Sequence, residues 1–149
     1  MIVFVGSDHN GFALKAVVLK YLKNRNVNAL DIGDNKLDPD DDFPVFASRA
    51  VSAIKTSDDK DPRAILICGS GQGMMMAANR FKGIRAGLGW NVKAAIDIRN
   101  DEDSNVLALP SELLQNNQDL ACDIIDAFLN TPFAAATRYK RRNRELDEL

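Results

Sequence analysis

Cys68 stands directly before Gly69-Ser70-Gly71-Gln72-Gly73, and this pairing of a thiol with glycines at alternate positions is the strongest chemical signal in the sequence. Glycines so spaced let the backbone approach a ligand closely and turn several N–H groups one way. The helix expected next, through Met74-Met75-Met76-Ala77-Ala78, adds the positive end of its dipole, so the turn suits an anion. A thiol in that field is favoured as thiolate and fits the role of a base. A cysteine at the end of a buried strand is also ordinary packing; the combination with the loop is what points to chemistry. Asp8 and His9 follow the first apolar run, and Arg138 and Arg142 lie four apart near the end of the chain. Two arginines on one helical face can fork around a phosphate, or form a solvated basic surface.

The elements that must position these groups alternate along the chain. Ile2 to Val5 is a short apolar run suited to a central parallel strand, and Phe12, Leu14, Val17, Val18, Leu19 and Leu22 then recur with helical spacing. Val27 to Ile32 reads as a second strand and Phe43-Pro44 to Thr56 as a second helix. The stretch from Gly33 to Asp42 holds five aspartates but lacks the order of a calcium loop, and reads as solvated. Ala64 to Ile67 is the strand that enters the glycine loop, whose helix is expected to end near Gly83. Ile84 to Leu88 and Val106 to Leu109 read as the last two strands, with a helix between them over Val92 to Arg99. The helix opened by Pro110-Ser111 carries a break near Asn116-Asn117, and a basic helix is expected from Phe133 to about Leu146, within a terminal segment spanning 133–149.

Strands alternating with helices imply an α/β fold: a three-layer α/β/α Rossmann-like arrangement around a five-stranded parallel sheet, with a C-terminal helix. The expected strand order is 2-1-3-4-5. Strands one and three are then neighbours at the point where the order reverses, and ligands bind there, at the carboxyl ends of the strands. Ser7-Asp8-His9 would face Cys68 to Gly73.

The chain of 149 residues, 46% hydrophobic and 27% charged, has the size and composition of one globular domain, 1–149. A net charge of −2 gives no general reason to bind nucleic acid or an acidic membrane. The absence of a leader-like start or a membrane-length apolar run leads to an expected cytoplasmic location. One histidine and two separated cysteines, Cys68 and Cys122, suit neither a zinc site nor a disulfide framework.

With both loops in view, the chain resembles the ribose-5-phosphate isomerase B family, which includes the galactose-6-phosphate isomerase subunits. The resemblance runs through Gly6-Ser7-Asp8-His9-Asn10-Gly11, Asp42-Phe43-Pro44, Cys68 to Gly73 with Ala77-Ala78-Asn79-Arg80, Gly83-Ile84-Arg85-Ala86 and Asp103-Ser104-Asn105-Val106-Leu107. It implies a cofactor-free, metal-free aldose–ketose isomerisation of a phosphosugar through a cis-enediolate. By position, Cys68 would be the base and Ser70 would assist proton movement at the oxygens. The backbone of Gly69, Gly71, Gln72 and Gly73 would stabilise the enediolate. Asp8 would hold sugar hydroxyls, and His9, Arg138 and Arg142 the phosphate. The family's sites lie between subunits, so a homodimer or tetramer is expected.

The departures from the family concern substrate handling. Asp101 stands where a ring-opening histidine is common, Glu112 where a phosphate-binding arginine is common, and Phe43 where a tyrosine contacts sugar hydroxyls. A carboxylate at Asp101 can shuttle protons if its pKa is raised, or can simply cap a loop. Ribose-5-phosphate and ribulose-5-phosphate are the first expectation. An isomerase of a six-carbon phosphosugar, of the galactose- or allose-6-phosphate type, and a non-catalytic sugar-phosphate-binding protein are the alternatives. A dinucleotide domain fits poorly, because Gly69-x-Gly71-x-Gly73 lacks the required spacing and follows the third strand.

Overall fold

The computed structural model describes residues 1–149. Its strands are β1 (Ile2–Ser7), β2 (Asn28–Asp31), β3 (Pro62–Cys68), β4 (Ala86–Leu88) and β5 (Val106–Pro110), all parallel in one sheet. The helices are α1 (Phe12–Asn24), α2 (Phe43–Thr56), α3 (Gln72–Ala78), α4 (Val92–Asn100), α5 (Ser111–Leu114), α6 (Gln118–Asn130) and α7 (Thr137–Glu148). A 3-10 turn over His9–Gly11 joins β1 to α1.

Alternation along the strands builds the two cores. Val3, Val5, Ile65, Ile67, Leu107 and Leu109 face one side, against Leu14, Val18 and Leu22 of α1 and Ile124, Ile125 and Phe128 of α6. Phe4, Ala64, Leu66, Cys68, Val106 and Ala108 face the other, against Phe46, Ala50 and Ile54 of α2 and Met74 and Ala78 of α3. This is the expected three-layer α/β/α arrangement.

The strand order is β2-β1-β3-β5-β4, so the last two strands exchange the places expected for them. All five residues of β5 are buried, which suits a central position, whereas β4 has only three residues and takes the edge. Asn79 stands beside β4 in place of a further strand: its side-chain amide donates to Ala86 O at 2.9 Å and its oxygen accepts from Ala86 N at 2.8 Å. The neighbours that matter for the site are unaffected. β1 and β3 pair from Ile2↔Pro62 to Ser7↔Ile67, and both loops leave the carboxyl edge of the sheet together.

Two boundaries also move, and a third stands as expected. Helix α3 stops at Ala78 and gives way to turns before Gly83, which has a positive φ of 78°. The expected break in the helix after Pro110 is present, between α5 and α6, where Asn117 caps α6 through Leu120 N. The terminal helix begins at Thr137 instead of Phe133, because the preceding chain is extended and Ala135 turns through a φ of 54°. No helix is long and apolar enough to cross a membrane.

Gly11 marks the closest approach of the first loop to β3. A Cβ there would lie 2.5 Å from the Ile67 carbonyl oxygen, and backbone at that point cannot move aside without breaking strand pairing. Gly11→Ala is therefore expected to destabilise the fold by about 2 kcal/mol through overpacking. A lower denaturant midpoint at constant slope is the reading to look for, and an unchanged midpoint would show that the turn is free to retreat.

Candidate active site

The register of β3 delivers Cys68 to the carboxyl end of the sheet, on the α2/α3 side and 5% exposed. Gly71 makes the turn above it in the left-handed region, at φ 75°, and any side chain there would run into Leu88. The resulting curl points the N–H groups of Gly71, Gly73 and Met74 at the thiol. These N–H groups favour thiolate, but burial acts more strongly and pushes the Cys68 thiol above its ordinary value, with the Asp8 charge adding to the rise. The sequence expectation of a favoured thiolate is thus corrected for the isolated chain. The amides are present and desolvation outweighs them.

Asp8 is held beside this sulfur by the end of β1. Its backbone N–H donates to Ile67 O at 3.3 Å, and its Oδ1 accepts from Gly11 N at 3.1 Å, which caps the 3-10 turn. Burial raises the Asp8 carboxyl, opposed by the Gly11 N–H and the His9 charge. His9 projects next to it. Ser70 and Gln72 are exposed on the outer surface of the loop, where the Gln72 N–H and Ser70 Oγ lie 3.4 Å apart. Phe43, at the first position of α2, closes over the loop, with ring atoms 3.0–3.2 Å from where a Cβ on Gly73 would stand.

Glu112 does not turn away from this site. Its backbone N–H donates to Gly69 O at 3.1 Å, and its carboxylate oxygen lies 2.8 Å from the position of a Cβ on Gly69. A negative charge therefore sits at the entrance to the glycine loop. The orientation of an exposed side chain on a single helical turn has no signature in the chain.

Asp8, His9, Phe43, Cys68, Gly69, Ser70, Gly71, Gln72 and Gly73 are thus brought to one end of the sheet. Asp101, Arg138 and Arg142 are not. Helix α4 carries the chain back to the amino end of the sheet, where Asp101 caps it and its Oδ1 accepts from the Asn100 side chain at 2.7 Å. Helix α7 is tied to the same end: Asn143 donates to Asp101 O at 3.4 Å, and Arg85 grips both Asp147 oxygens at 2.9 Å. Arg138 and Arg142 are exposed on α7, with Arg138 stacked 5.0 Å from the centre of the Tyr139 ring. In one chain Arg138, Arg142 and Asp101 lie at the opposite end of the sheet from Cys68.

The residue that sequence reasoning missed is Asp41. In sequence it reads as part of a solvated acidic loop, yet its Oδ1 accepts from the His9 backbone N–H at 3.0 Å and lies 2.7 Å from His9 Nδ1. The available signal was its place just before Asp42-Phe43-Pro44, which fixes it at the start of α2 and hence at the carboxyl edge of the sheet. Asp34 is likewise engaged, by Arg49 at 2.7 Å, while residues 35–40 and Asp42 are exposed.

Known proteins share this arrangement over nearly the whole chain. The solved ribose 5-phosphate isomerase of Thermotoga maritima superposes with a TM-score of 0.92 at 37% identity, covering 99% of this chain and 98% of that one. Ribose-5-phosphate isomerase B of Mycoplasma genitalium, solved with bound ribulose-5-phosphate, superposes with a TM-score of 0.89 at 36% identity, covering 99% and 94%. A probable ribose-5-phosphate isomerase B, also of Mycoplasma genitalium, is 39% identical over 140 residues, 94% of this chain and 90% of the relative. The family described as Ribose/Galactose Isomerase matches residues 3–146, a span that contains both the thiol loop and the basic helix, and the chain belongs to that family.

Proposed function

We propose that the chain is an isomerase that interconverts ribose-5-phosphate and ribulose-5-phosphate. The observation that carries this reading is the buried Cys68 thiol under three backbone N–H groups with Asp8 beside it, in a family whose relatives bear that name. The Cys68 thiolate takes the proton from C2 of the open-chain aldose, leaving a cis-enediolate across C1 and C2. The same proton is returned to C1, while the hydroxyl proton passes from O2 to O1 with Ser70 in reach of the oxygens. Asp8 orients hydroxyls, and the glycine loop supports the developing negative charge, so that the step needs no metal. Phe43 closes the apolar side.

The phosphate grip calls for a second copy of the chain. His9 lies at the Cys68 end, while Arg138 and Arg142, together with Asp101, would be supplied by the partner in a homodimer or in a tetramer built from dimers. Exposed apolar side chains support such an assembly: Met76 on α3 and Trp90 and Ile96 at α4 are 66%, 52% and 40% exposed, and both helices pack against the β4 edge. A cytoplasmic site of action and the lack of any nucleic-acid or membrane partner belong to the same proposal.

The test is ketose formation from ribose-5-phosphate, with erythrose-4-phosphate, which presents an open chain, assayed alongside. Turnover of both supports the proposal with Asp101 as the ring-opening group. Turnover of erythrose-4-phosphate alone would retain the base and remove ring opening, and with it the ribose-5-phosphate assignment. Because burial holds the thiol high, kcat at saturating substrate, where weaker phosphate binding is offset by occupancy, is expected to climb as the thiolate fraction grows between about pH 6 and pH 8. A flat profile over that range would argue against Cys68 as the base.

A further inference from the structure

His9 is the only histidine of the chain, and both its ring nitrogens are engaged. Nδ1 lies 2.7 Å from Asp41 Oδ1, and the Asn10 side-chain amide lies 3.0 Å from Nε2. The same Asp41 oxygen accepts the His9 backbone N–H at 3.0 Å, so one carboxylate oxygen holds the residue at two points across 32 positions of sequence. The Asp41 side chain is 10% exposed and the His9 side chain 31%. The acceptor is thus tucked under the ring, while the ring keeps an open side.

We propose that Asp41 is a positioning residue that keeps the His9 proton on Nδ1, so that Nε2 is the nitrogen presented to the anionic end of the substrate. The inference rests on the reading that His9 meets the phosphate. A carboxylate can only accept, so Nδ1 must be the donor in the neutral ring as well as in the charged one. Every protonation change then takes place at Nε2. A phosphate oxygen arriving there displaces Asn10 and meets an N–H⁺ whose direction is already set, and the cost of orienting the ring has been met during folding.

The charges around the ring act together. Asp41 faces it from the start of α2, Asp8 from the end of β1, and Glu112 lies beyond Asn10 at the start of α5. The hydrogen bond that His9 donates to Asp41 is the largest influence raising the His9 pKa, burial opposes it, and Asp8 adds to the rise. The sign follows: the cationic ring is fully present below the ordinary histidine value and is lost as pH rises through the raised one. Anion binding is lost over the same window.

The test uses nitrogen-resolved NMR of the single imidazole in the intact protein, with Asp41→Asn and Asp41→Glu compared with the wild type. In the wild type at high pH the ring is expected as the Nδ1–H tautomer, and inorganic phosphate is expected to move its titration midpoint upward. Asp41→Asn, which removes the charge but keeps an acceptor oxygen, is expected to lower the midpoint, with Asp41→Glu restoring part of it. In turnover, Asp41→Asn should raise KM for ribose-5-phosphate about tenfold, in line with the loss of a charge-assisted contact, while kcat stays within about threefold. A wild-type ring in the Nε2–H form would overturn the proposal without any variant. So would an unchanged midpoint in Asp41→Asn, or a fall in kcat as large as the rise in KM. Absence of ribose-5-phosphate turnover in the wild type would overturn the substrate assignment instead, because the tautomer is read on the free protein.

Discussion

Cys68→Ala is expected to lower kcat for ribose-5-phosphate by at least about 10³-fold, within the range that a positioned acid–base group contributes. The chain has no second group to take over. Asp8 is the nearest ionisable neighbour, but its Oδ1 is occupied by the Gly11 N–H, and burial disfavours the charged form that a base requires. Cys68→Ser should be nearly as damaging, because a hydroxyl in that pocket ionises far less readily than a thiol. KM should change little, since the phosphate and hydroxyl contacts are made by other residues. Stability should also survive: the variant deletes one small side chain beneath a loop held by Gly71 in its own left-handed turn and by Glu112 N donating to Gly69 O. A stopped enzyme with an unchanged melting transition is therefore the expected result. Turnover within tenfold of the wild type would dismiss Cys68 as the base and leave the buried thiol as packing.

Much of this was legible in the chain because it rests on periodicity. Continuous apolar runs gave the strands, 3.6-residue spacing gave the helices, and Gly69-x-Gly71-x-Gly73 could only be a close turn, so Asp8-His9 and Cys68 were placed face to face through the β1–β3 pairing. What was not legible depends on contacts between distant segments. The exchange of β4 and β5 turns on which strand can be buried on all sides, and on Asn79 reaching across to satisfy Ala86, neither of which is a local property. Asp41 looked like any member of an acidic run until the fold set it against His9. The thiol was misjudged for a similar reason: the N–H groups are visible in the glycine spacing, whereas the depth of burial that outweighs them is a property of the packed α2 and α3.

The proposed sharing of the site between two chains predicts a second large effect. Cys68 aligns with Pro110 at one edge of the sheet and Ala64 with Val106 toward the other, so the strands alone separate the two ends by about 13 Å at 3.3 Å per residue. Asp101 and α7 lie beyond the amino end, and α7 is anchored there by Arg85. Asp8, Asp41, Asp42 and Glu112 gather at one end, while Arg138, Lys140, Arg142 and Arg144 extend from the other without an acidic partner within ion-pair distance. In a two-fold pair each basic helix would reach the other chain's acidic edge, giving two identical contacts and two identical sites. Cys68→Ala should then be nearly inactive, and Arg138→Ala with Arg142→Ala should have its KM raised by about 10²-fold or more through loss of charge-assisted phosphate contacts. Co-expressed and assayed at substrate below the wild-type KM, where both forms are nearly silent, the two variants should regain about a quarter of wild-type activity, because half the dimers are mixed and each mixed dimer has one site with thiol and arginines both intact. If mixed dimers are isolated and show no recovery, base and arginines do not meet across the interface. If recovery is seen, the separation of Cys68 from Arg138 and Arg142 within one chain is the reason the enzyme works only as a pair.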